Sequence, residues 1–153
     1  MNQTVPDNVM NDAKDPFPKL TVLLVSSFGE DHDRLDEILR HSNWQRYEAR
    51  SQREALAFWE ACPTPVVICE AALPDGTWND LYGRLLAMQR PPAFIVTSWL
   101  ADDRLWAEAL NLGAYNVLAK PLQAQEVFHV VSLGWRLWKN QAEQPVPHAQ
   151  TAA

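Results

Sequence analysis

Four short apolar segments divide the central part of the chain, and each has the length of a β-strand. They are Leu20 to Val25, Val66 to Cys69, Ala93 to Thr97 and the weaker Tyr115 to Leu118. Their apolar residues run continuously instead of alternating with polar ones, which is typical of strands in a parallel sheet that helices cover on both faces. A fifth strand, short and polar, is predicted at Gln45 to Ala49.

Helices are predicted between and after these strands. The first and third are indicated by apolar residues three and four positions apart: Leu35, Ile38 and Leu39, then Leu81, Leu85 and Met88. Ser51 is the predicted N-cap of the second helix, with Glu54 completing a capping box. The fourth helix is predicted to begin at Asp102 or Asp103 and to end at Gly113.

The last helix covers about Gln123 to Trp138. Repeated βα units predict one α/β domain, a doubly wound three-layer sandwich around a five-stranded parallel sheet. The length of 153 residues fits a single domain at about 19–140. Residues 1–18 and 141–153 contain prolines and little apolar character, so a flexible leader and a flexible tail are expected there.

Composition removes several classes of function. The net charge is −6, the pI is near 5.1 and basic residues are scattered, so direct nucleic-acid binding is not expected. No segment approaches the roughly 18 consecutive apolar residues of a membrane span, and the polar N-terminus does not resemble a signal peptide. Two cysteines, Cys62 and Cys69, argue against a zinc site and favour a reducing, cytoplasmic location.

Candidate chemistry is expected at the carboxyl ends of the strands, where ligands bind in open α/β sheets. Ser26 and Ser27 follow the first strand, and Glu70 follows the third. Thr97 ends the fourth strand, and Lys120 comes directly after the fifth.

These residues, with their neighbours, resemble the receiver domain of bacterial two-component response regulators. The resemblance covers about residues 19–140 and rests on three motifs in order: LPDG at 73–76, Thr97 followed by a small residue, and GA at 113–114 followed by KP at 120–121. It implies a flavodoxin-like fold and phosphorelay signal transduction. In that family an acidic pair and a phosphoacceptor aspartate bind magnesium, while a lysine and a Thr or Ser contact the phosphoryl group.

The metal-binding half of that site is altered here. The resemblance places Ser26 and Ser27 at the acidic pair, and neutral hydroxyls cannot replace two carboxylates as magnesium ligands. Glu30 and Asp31 come later and are interpreted as charges or caps at a helix N-terminus. We therefore expect neither a bound metal nor another cofactor.

Glu70 occupies the phosphoacceptor position, and its extra methylene moves the carboxylate out of the geometry for attack on phosphorus. In one interpretation Glu70 pairs with Lys120 and accepts a hydrogen bond from Thr97, which holds the domain in one state. In the other, Glu70 only neutralises Lys120. The position of the family's switch aromatic is occupied by Val117, so the usual coupling from the threonine is expected to be absent.

Seven tryptophans are many for this length, and Trp is frequent in binding hot spots. Trp106 lies on the fourth helix, and Trp135 and Trp138 lie on the fifth, which is apolar around most of its circumference. An interface is therefore predicted on the face formed by the fourth helix, fifth strand and fifth helix. It would bind a signalling partner or a second copy of the chain; alternatively, Trp135 and Trp138 only lie along the last helical turn.

The leading hypothesis is an atypical, stand-alone pseudo-receiver that acts by protein–protein contact and is not an enzyme. Two alternatives remain: a phosphate-accepting response regulator with a rewired site, and a small-ligand-binding flavodoxin-like domain. The sequence has no GxGxxG motif, P-loop or nucleophile elbow, which counts against the last.

Overall fold

A computed structural model describes residues 19–143, so the predicted leader and most of the predicted tail lie outside the described residues. The strands are β1 (Thr21–Val25), β2 (Gln45–Ala49), β3 (Val66–Glu70), β4 (Ala72–Leu73), β5 (Gly76–Thr77), β6 (Ala93–Ser98) and β7 (Asn116–Ala119). The helices are α1 (Gly29–Leu39), α2 (Gln52–Ala61), α3 (Trp78–Leu86), α4 (Asp103–Leu112) and α5 (Ala124–Glu143). Five strands pair in parallel in the order β2-β1-β3-β6-β7, which confirms the predicted sheet.

Helices cover both faces of the sheet, and this explains the continuous apolar strands. In β1, Leu23 and Val25 point into one core cluster with side chains of α2, α3 and α4. Val22 and Leu24 point into a second cluster with side chains of α1 and α5. Because successive side chains alternate between the faces, all five positions of β1 are buried, and all of them except Thr21 are apolar. The three-layer sandwich is thus confirmed.

Strand β2 is polar because it lies at the edge of the sheet. Only Ala49 is fully buried, and Tyr47 packs its ring against Phe58 of α2 at 4.8 Å between centroids. The edge position leaves most β2 side chains in contact with water, so a strand forms there without an apolar run.

The helix boundaries follow the predicted caps in part. The Ser51 hydroxyl accepts from the Glu54 amide, but the Glu54 carboxylate accepts from the Arg50 amide and not from Ser51, so the predicted capping box is incomplete. A reciprocal box forms instead between Thr77 and Asp80, at the start of α3. Asp102 caps α4, and α5 continues to Glu143, past the predicted end at Trp138.

A small antiparallel hairpin, β4 and β5, follows β3 and was not predicted. Its turn is the Pro74-Asp75 pair of the LPDG motif. Gly76 has φ +152°, and a Cβ there would lie 2.7 Å from side-chain atoms of both Asp80 and Gln52. The motif therefore needs glycine for its backbone angle and for space.

Candidate functional site

The candidate site lies at the carboxyl edge of the sheet, where four neighbouring strands end side by side. The register pairs Glu70 of β3 with Thr97 of β6, and Ser98 with Ala119 of β7. Lys120 continues directly from β7, and its amide donates to the Ser98 carbonyl at 3.0 Å. The sheet thus brings together Ser26, Glu70, Thr97 and Lys120, residues far apart in sequence.

Lys120 is the centre of a buried ionic trio with Asp31 and Glu70. Its Nζ lies 2.7 Å from Asp31 Oδ2 and forms a second ion pair with Glu70 Oε1. The three side chains are between 1% and 6% exposed. Since charges of this kind are costly to bury alone, the ammonium and the carboxylates hold each other in place.

Asp31 lies in the first turn of α1, as the interpretation of a charge at the helix N-terminus expects, but its side chain is buried. Its carboxylate faces the pocket and accepts from the Ser26 hydroxyl at 2.6 Å as well as from Lys120. A signal was available in the helical spacing. Asp31 lies four and eight positions before Leu35 and Leu39, which face the core, so it belongs to the buried stripe of α1.

The serine pair is split between the interior and the surface. Ser26 is fully buried, and its hydroxyl also accepts from the Phe28 amide at 3.0 Å, whereas Ser27 is exposed. Ser26 therefore serves as a fixed hydrogen-bond partner of Asp31, while Ser27 has no place inside the pocket.

Glu70 and Thr97 do not hydrogen-bond to each other, contrary to one of the two interpretations. The Thr97 hydroxyl donates to the Leu118 carbonyl of β7 at 2.8 Å. The second carboxylate oxygen of Glu70, Oε2, accepts a hydrogen bond from the Ala72 amide at 2.9 Å. The carboxylate is thus anchored on one side by the loop after β3 and on the other by Lys120.

Val117 lies in the interior of the sheet with 1% exposure and packs in the core cluster of α2, α3 and α4. It has no ring that could move between an inward and an outward position. Tyr115, two residues earlier, packs on the opposite cluster, beside α5. Tyr115 therefore does not replace Val117 on its face of the sheet.

The loop after Glu70 is fastened to α2 by Asp75. Its carboxylate accepts from the amides of Gln52 and Arg53 at 2.8 and 3.0 Å, which are unpaired donors of the first helical turn. Partial burial alone would raise the pKa of Asp75, but these hydrogen bonds outweigh it and lower the pKa below its ordinary value. Asp75 thereby fixes the segment that positions Glu70.

Two aromatic rings cover the outer side of Lys120. The Nζ atom lies 4.8 Å from the ring centroid of Phe28 and 5.7 Å from that of Trp99, both within the range of cation–π attraction. Phe28 is 43% exposed and Trp99 is 60% exposed. The ammonium is therefore enclosed by two carboxylates below and two rings above.

The donor set does not fit a magnesium ion. Magnesium prefers charged oxygen ligands in near-octahedral array, and the pocket's two carboxylates are both paired with Lys120. The Ser26 hydroxyl points its proton at Asp31. Among the described residues, no three His, Cys, Asp or Glu side chains gather in the way a metal site requires.

The three tryptophans of the predicted interface differ in exposure. Trp106 is 36% exposed, and Trp135 is half-buried with Lys139 Nζ 4.7 Å from its ring centroid. Trp138 is only 5% exposed, and the Arg90 guanidinium lies 3.2 Å from its ring centroid. Trp138 is therefore buried against Arg90, and Trp106 and Trp135 are the more exposed residues of the predicted interface.

Comparison with solved structures identifies the architecture. The signal receiver domain of an HD domain-containing protein from Pseudomonas fluorescens Pf-5 superposes with a TM-score of 0.76 at 25% identity, over 83% of this chain and 94% of that one. The response regulator receiver domain protein from Clostridium thermocellum gives 0.72 at 19% identity, over 79% and 98%. The chain has the fold of a response-regulator receiver domain.

A third receiver, the non-phosphorylated HemR receiver domain from Leptospira biflexa, gives a TM-score of 0.67 at 21% identity, over 76% of this chain and 94% of that one. The sequence matches no protein-family model and no curated protein. Within the described range of this chain, no helix combines the length and apolar character that crossing a membrane requires.

Proposed function

We propose that this chain is a pseudo-receiver, a signalling domain that works through contacts with another protein, is not an enzyme and is not phosphorylated on an aspartate. The observation that carries the proposal is the pairing of Lys120 with two carboxylates of the protein itself, Asp31 and Glu70. The lysine that would neutralise an incoming phosphoryl group is thus already committed.

The charge balance of the pocket supports this proposal. Two carboxylates and one ammonium give the buried trio a formal charge of −1. A phosphoryl group carries about −1.5 to −2 charges, so its arrival would add repulsion at a site that is shielded from solvent. Neither Ser26 nor Ser27 supplies a carboxylate for a metal ion that would offset it.

A single conformational state follows from the surroundings of the trio. Thr97 is held by the Leu118 carbonyl, and Val117 is packed in the core. Glu70 is fixed from both sides by Lys120 and the Ala72 amide. We infer that the domain presents one constant surface to its partner, and that the trio maintains the fold at this edge.

The face of α4, β7 and α5 is the surface we assign to a signalling partner or to a second copy of the chain. Trp106 and Leu110 lie four residues apart on α4 and are 36% and 47% exposed. Leu133 and Leu137 lie four residues apart on α5 and are 37% and 43% exposed. Both helices contact the edge strand β7, and exposed apolar side chains that lie close together are typical of a contact surface. The free thiols of Cys62 and Cys69 favour a reducing compartment, which suits a cytoplasmic role.

The test is a titration with beryllofluoride and magnesium, followed by tryptophan fluorescence, because Trp99 lies directly over Lys120. We expect no saturable, magnesium-dependent change, while a receiver with an intact acidic pair responds in parallel. Incubation with acetyl phosphate and intact-mass measurement should add no phosphoryl group. A saturable response that Lys120→Ala abolishes would sink the proposal.

A further inference from the structure

The two most exposed large apolar side chains of residues 19–143 lie next to each other at the mouth of the pocket. Leu100 is 71% exposed and Trp99 is 60% exposed, and the partly exposed ring of Phe28 lies across Lys120 from Trp99. We propose that this mouth patch (Phe28, Trp99 and Leu100) docks a protein segment with large apolar anchors flanked by Lys or Arg. It is separate from the face of α4, β7 and α5.

The mouth patch is held in place before any partner arrives. Both rings turn a face toward the Lys120 ammonium, at 4.8 Å for Phe28 and 5.7 Å for Trp99. The loop after β6 is tightened by the Ser98 hydroxyl, which accepts from the Leu100 amide at 3.0 Å. Because the ammonium is itself fixed by two carboxylates, little conformational entropy is left to lose when the outer sides of the rings are covered.

A cavity of about 240 Å³ opens beside Trp99 and offers a place for an anchor side chain. Its wall combines apolar surface from Trp99, Pro121 and Leu122 with the charged residues Glu30, Asp31, Arg34 and Lys120. The exposed ring of Trp99 borders this cavity, and Trp is one of the residues most frequent in binding hot spots.

The charges around the mouth patch indicate which kind of protein segment would bind there. At the two helix starts beside the mouth patch, four acidic side chains, Glu30, Asp33, Asp102 and Asp103, outnumber the basic Arg34 and Arg104. The buried trio beneath adds one further negative charge. Positive flanks on the partner would therefore meet a complementary potential, which speeds encounter and fixes orientation.

The same charges disfavour two other occupants. An anionic lipid surface would be repelled by the acidic residues beside Trp99 and Leu100. A second copy of the chain, which carries a net charge of −6, would bring an equally acidic mouth against this one. A protein segment with apolar anchors and basic flanks would pack on the rings and pair with the acidic residues around them.

The inference rests on the proposed function in one respect: a docked segment covers the side from which a phosphoryl donor would reach Lys120. The two ideas nevertheless fail separately. A beryllofluoride response would contradict the pseudo-receiver and leave the docking result intact, whereas failure of docking leaves the beryllofluoride result intact.

The test selects a displayed library of random 16-residue peptides against three proteins in parallel. These are the wild-type chain, the double variant Trp99→Ala/Leu100→Ser, and Trp106→Ala as a matched control on α4. Both substituted mouth residues are mainly exposed, so circular dichroism and the urea midpoint should stay unchanged. We expect peptides rich in Trp, Phe or Leu with excess Lys and Arg, enriched on wild type and Trp106→Ala only.

A synthetic peptide from the enriched set then gives the affinity. The double variant should weaken it by roughly tenfold or more, as loss of hot-spot side chains does. Added salt and the Glu30→Lys substitution in the protein should also weaken peptide binding. A version of the peptide with every Lys and Arg changed to Glu should not bind.

Several results would overturn the inference. They are no enrichment above the double variant, enrichment of acidic or neutral peptides, and binding lost only in Trp106→Ala. Sedimentation showing a wild-type dimer that Leu100→Ser dissolves would make a second copy the occupant. Co-sedimentation with phosphatidylglycerol vesicles through Trp99 would make it a membrane.

Discussion

Two ionic clusters, built from similar residues, lie on either side of β1 and differ in their contact with water. On the β7 side, Asp31, Glu70 and Lys120 are almost completely buried. On the β2 side, Arg46 and Arg50 contact Glu48, which is 43% exposed. The first cluster loses its hydration on folding and must balance charge internally, whereas the second shares its charge with solvent.

A histidine of α1 connects the cluster on the β2 side with the carboxyl end of β1. His32 is 2% exposed; its Nε2 donates to the Ser26 carbonyl at 2.8 Å, and its Nδ1 lies 3.4 Å from Glu48 Oε1. Partial burial alone would raise the pKa of Glu48, but the hydrogen bond from Arg46 and the charges of His32, Arg46 and Arg50 lower it below its ordinary value. Ion pairs thus lower the pKa of the exposed Glu48 carboxylate in the cluster on β2. In the buried cluster, similar ion pairs fill a pocket.

The largest effect is expected from Lys120→Met, which leaves Asp31 and Glu70 side by side without their cation. Removing one partner of a buried ionic group typically costs about 3–5 kcal/mol, and we expect a loss of that order in the free energy of unfolding by urea. The triple variant that also carries Asp31→Asn and Glu70→Gln should recover much of it. A cost below about 1 kcal/mol for Lys120→Met would show that the trio is as well hydrated as the β2 cluster.

A smaller effect is expected from Glu70→Gln or Asp31→Asn alone. Each leaves one carboxylate paired with one ammonium, so the loss should be about 1.5–3 kcal/mol, the range for a hydrogen bond to a charged group. The double variant should deviate from additivity, because both carboxylates share Lys120. Amide spectra of Glu70→Gln that change far from the site would favour a state-holding role for Glu70, and purely local changes would favour simple neutralisation.

Asp75→Ala tests an exposed carboxylate that binds fixed backbone donors. Loss of an N-terminal cap costs about 1 kcal/mol at neutral pH. Because the folded-state pKa of Asp75 lies below the ordinary 3.8, its stabilisation is complete above that value and disappears as the pH falls through the lowered one. Urea midpoints of wild type and variant should therefore converge in acid, and a constant difference from pH 7 to pH 2 would contradict this.

The smallest effect is expected from Glu48→Gln on the surface of β2. Exposed ion pairs contribute about 0–1 kcal/mol, and salt screens them. The difference from wild type in thermal unfolding should be largest at low ionic strength and vanish at high salt. Glu70→Gln should keep its difference under the same salt series, since the trio is shielded from solvent; equal salt sensitivity would remove the contrast between the clusters.

The fold could be predicted from the sequence because its signals are local. The apolar strands β1, β3 and β6, the Asp102 cap and the Gly113 stop each follow from short stretches of chain. The β4–β5 hairpin could not be predicted in this way. Its glycine is required because of Asp80 and Gln52, which come near Gly76 only in the folded chain.

The sequence predicts only those site residues that lie at the ends of strands. Lys120, Glu70 and Thr97 lie at strand ends, where the order of elements places them. Asp31 was missed because the start of α1 also suits a surface acid, and its partner Lys120 is 89 residues away. Trp138 was placed at an interface because the apolar residues around α5 do not reveal which of them face inward.

By itself the sequence determined the layered α/β fold and the carboxyl edge of the sheet where the candidate site lies. These depend on periodicity and strand order, which are properties of the chain. The tertiary structure alone decided that the pocket is filled: Asp31 turns inward, Glu70 and Asp31 share Lys120, and Phe28 and Trp99 close over it. Burial and charge pairing depend on three-dimensional neighbours, and no short stretch of sequence specifies them.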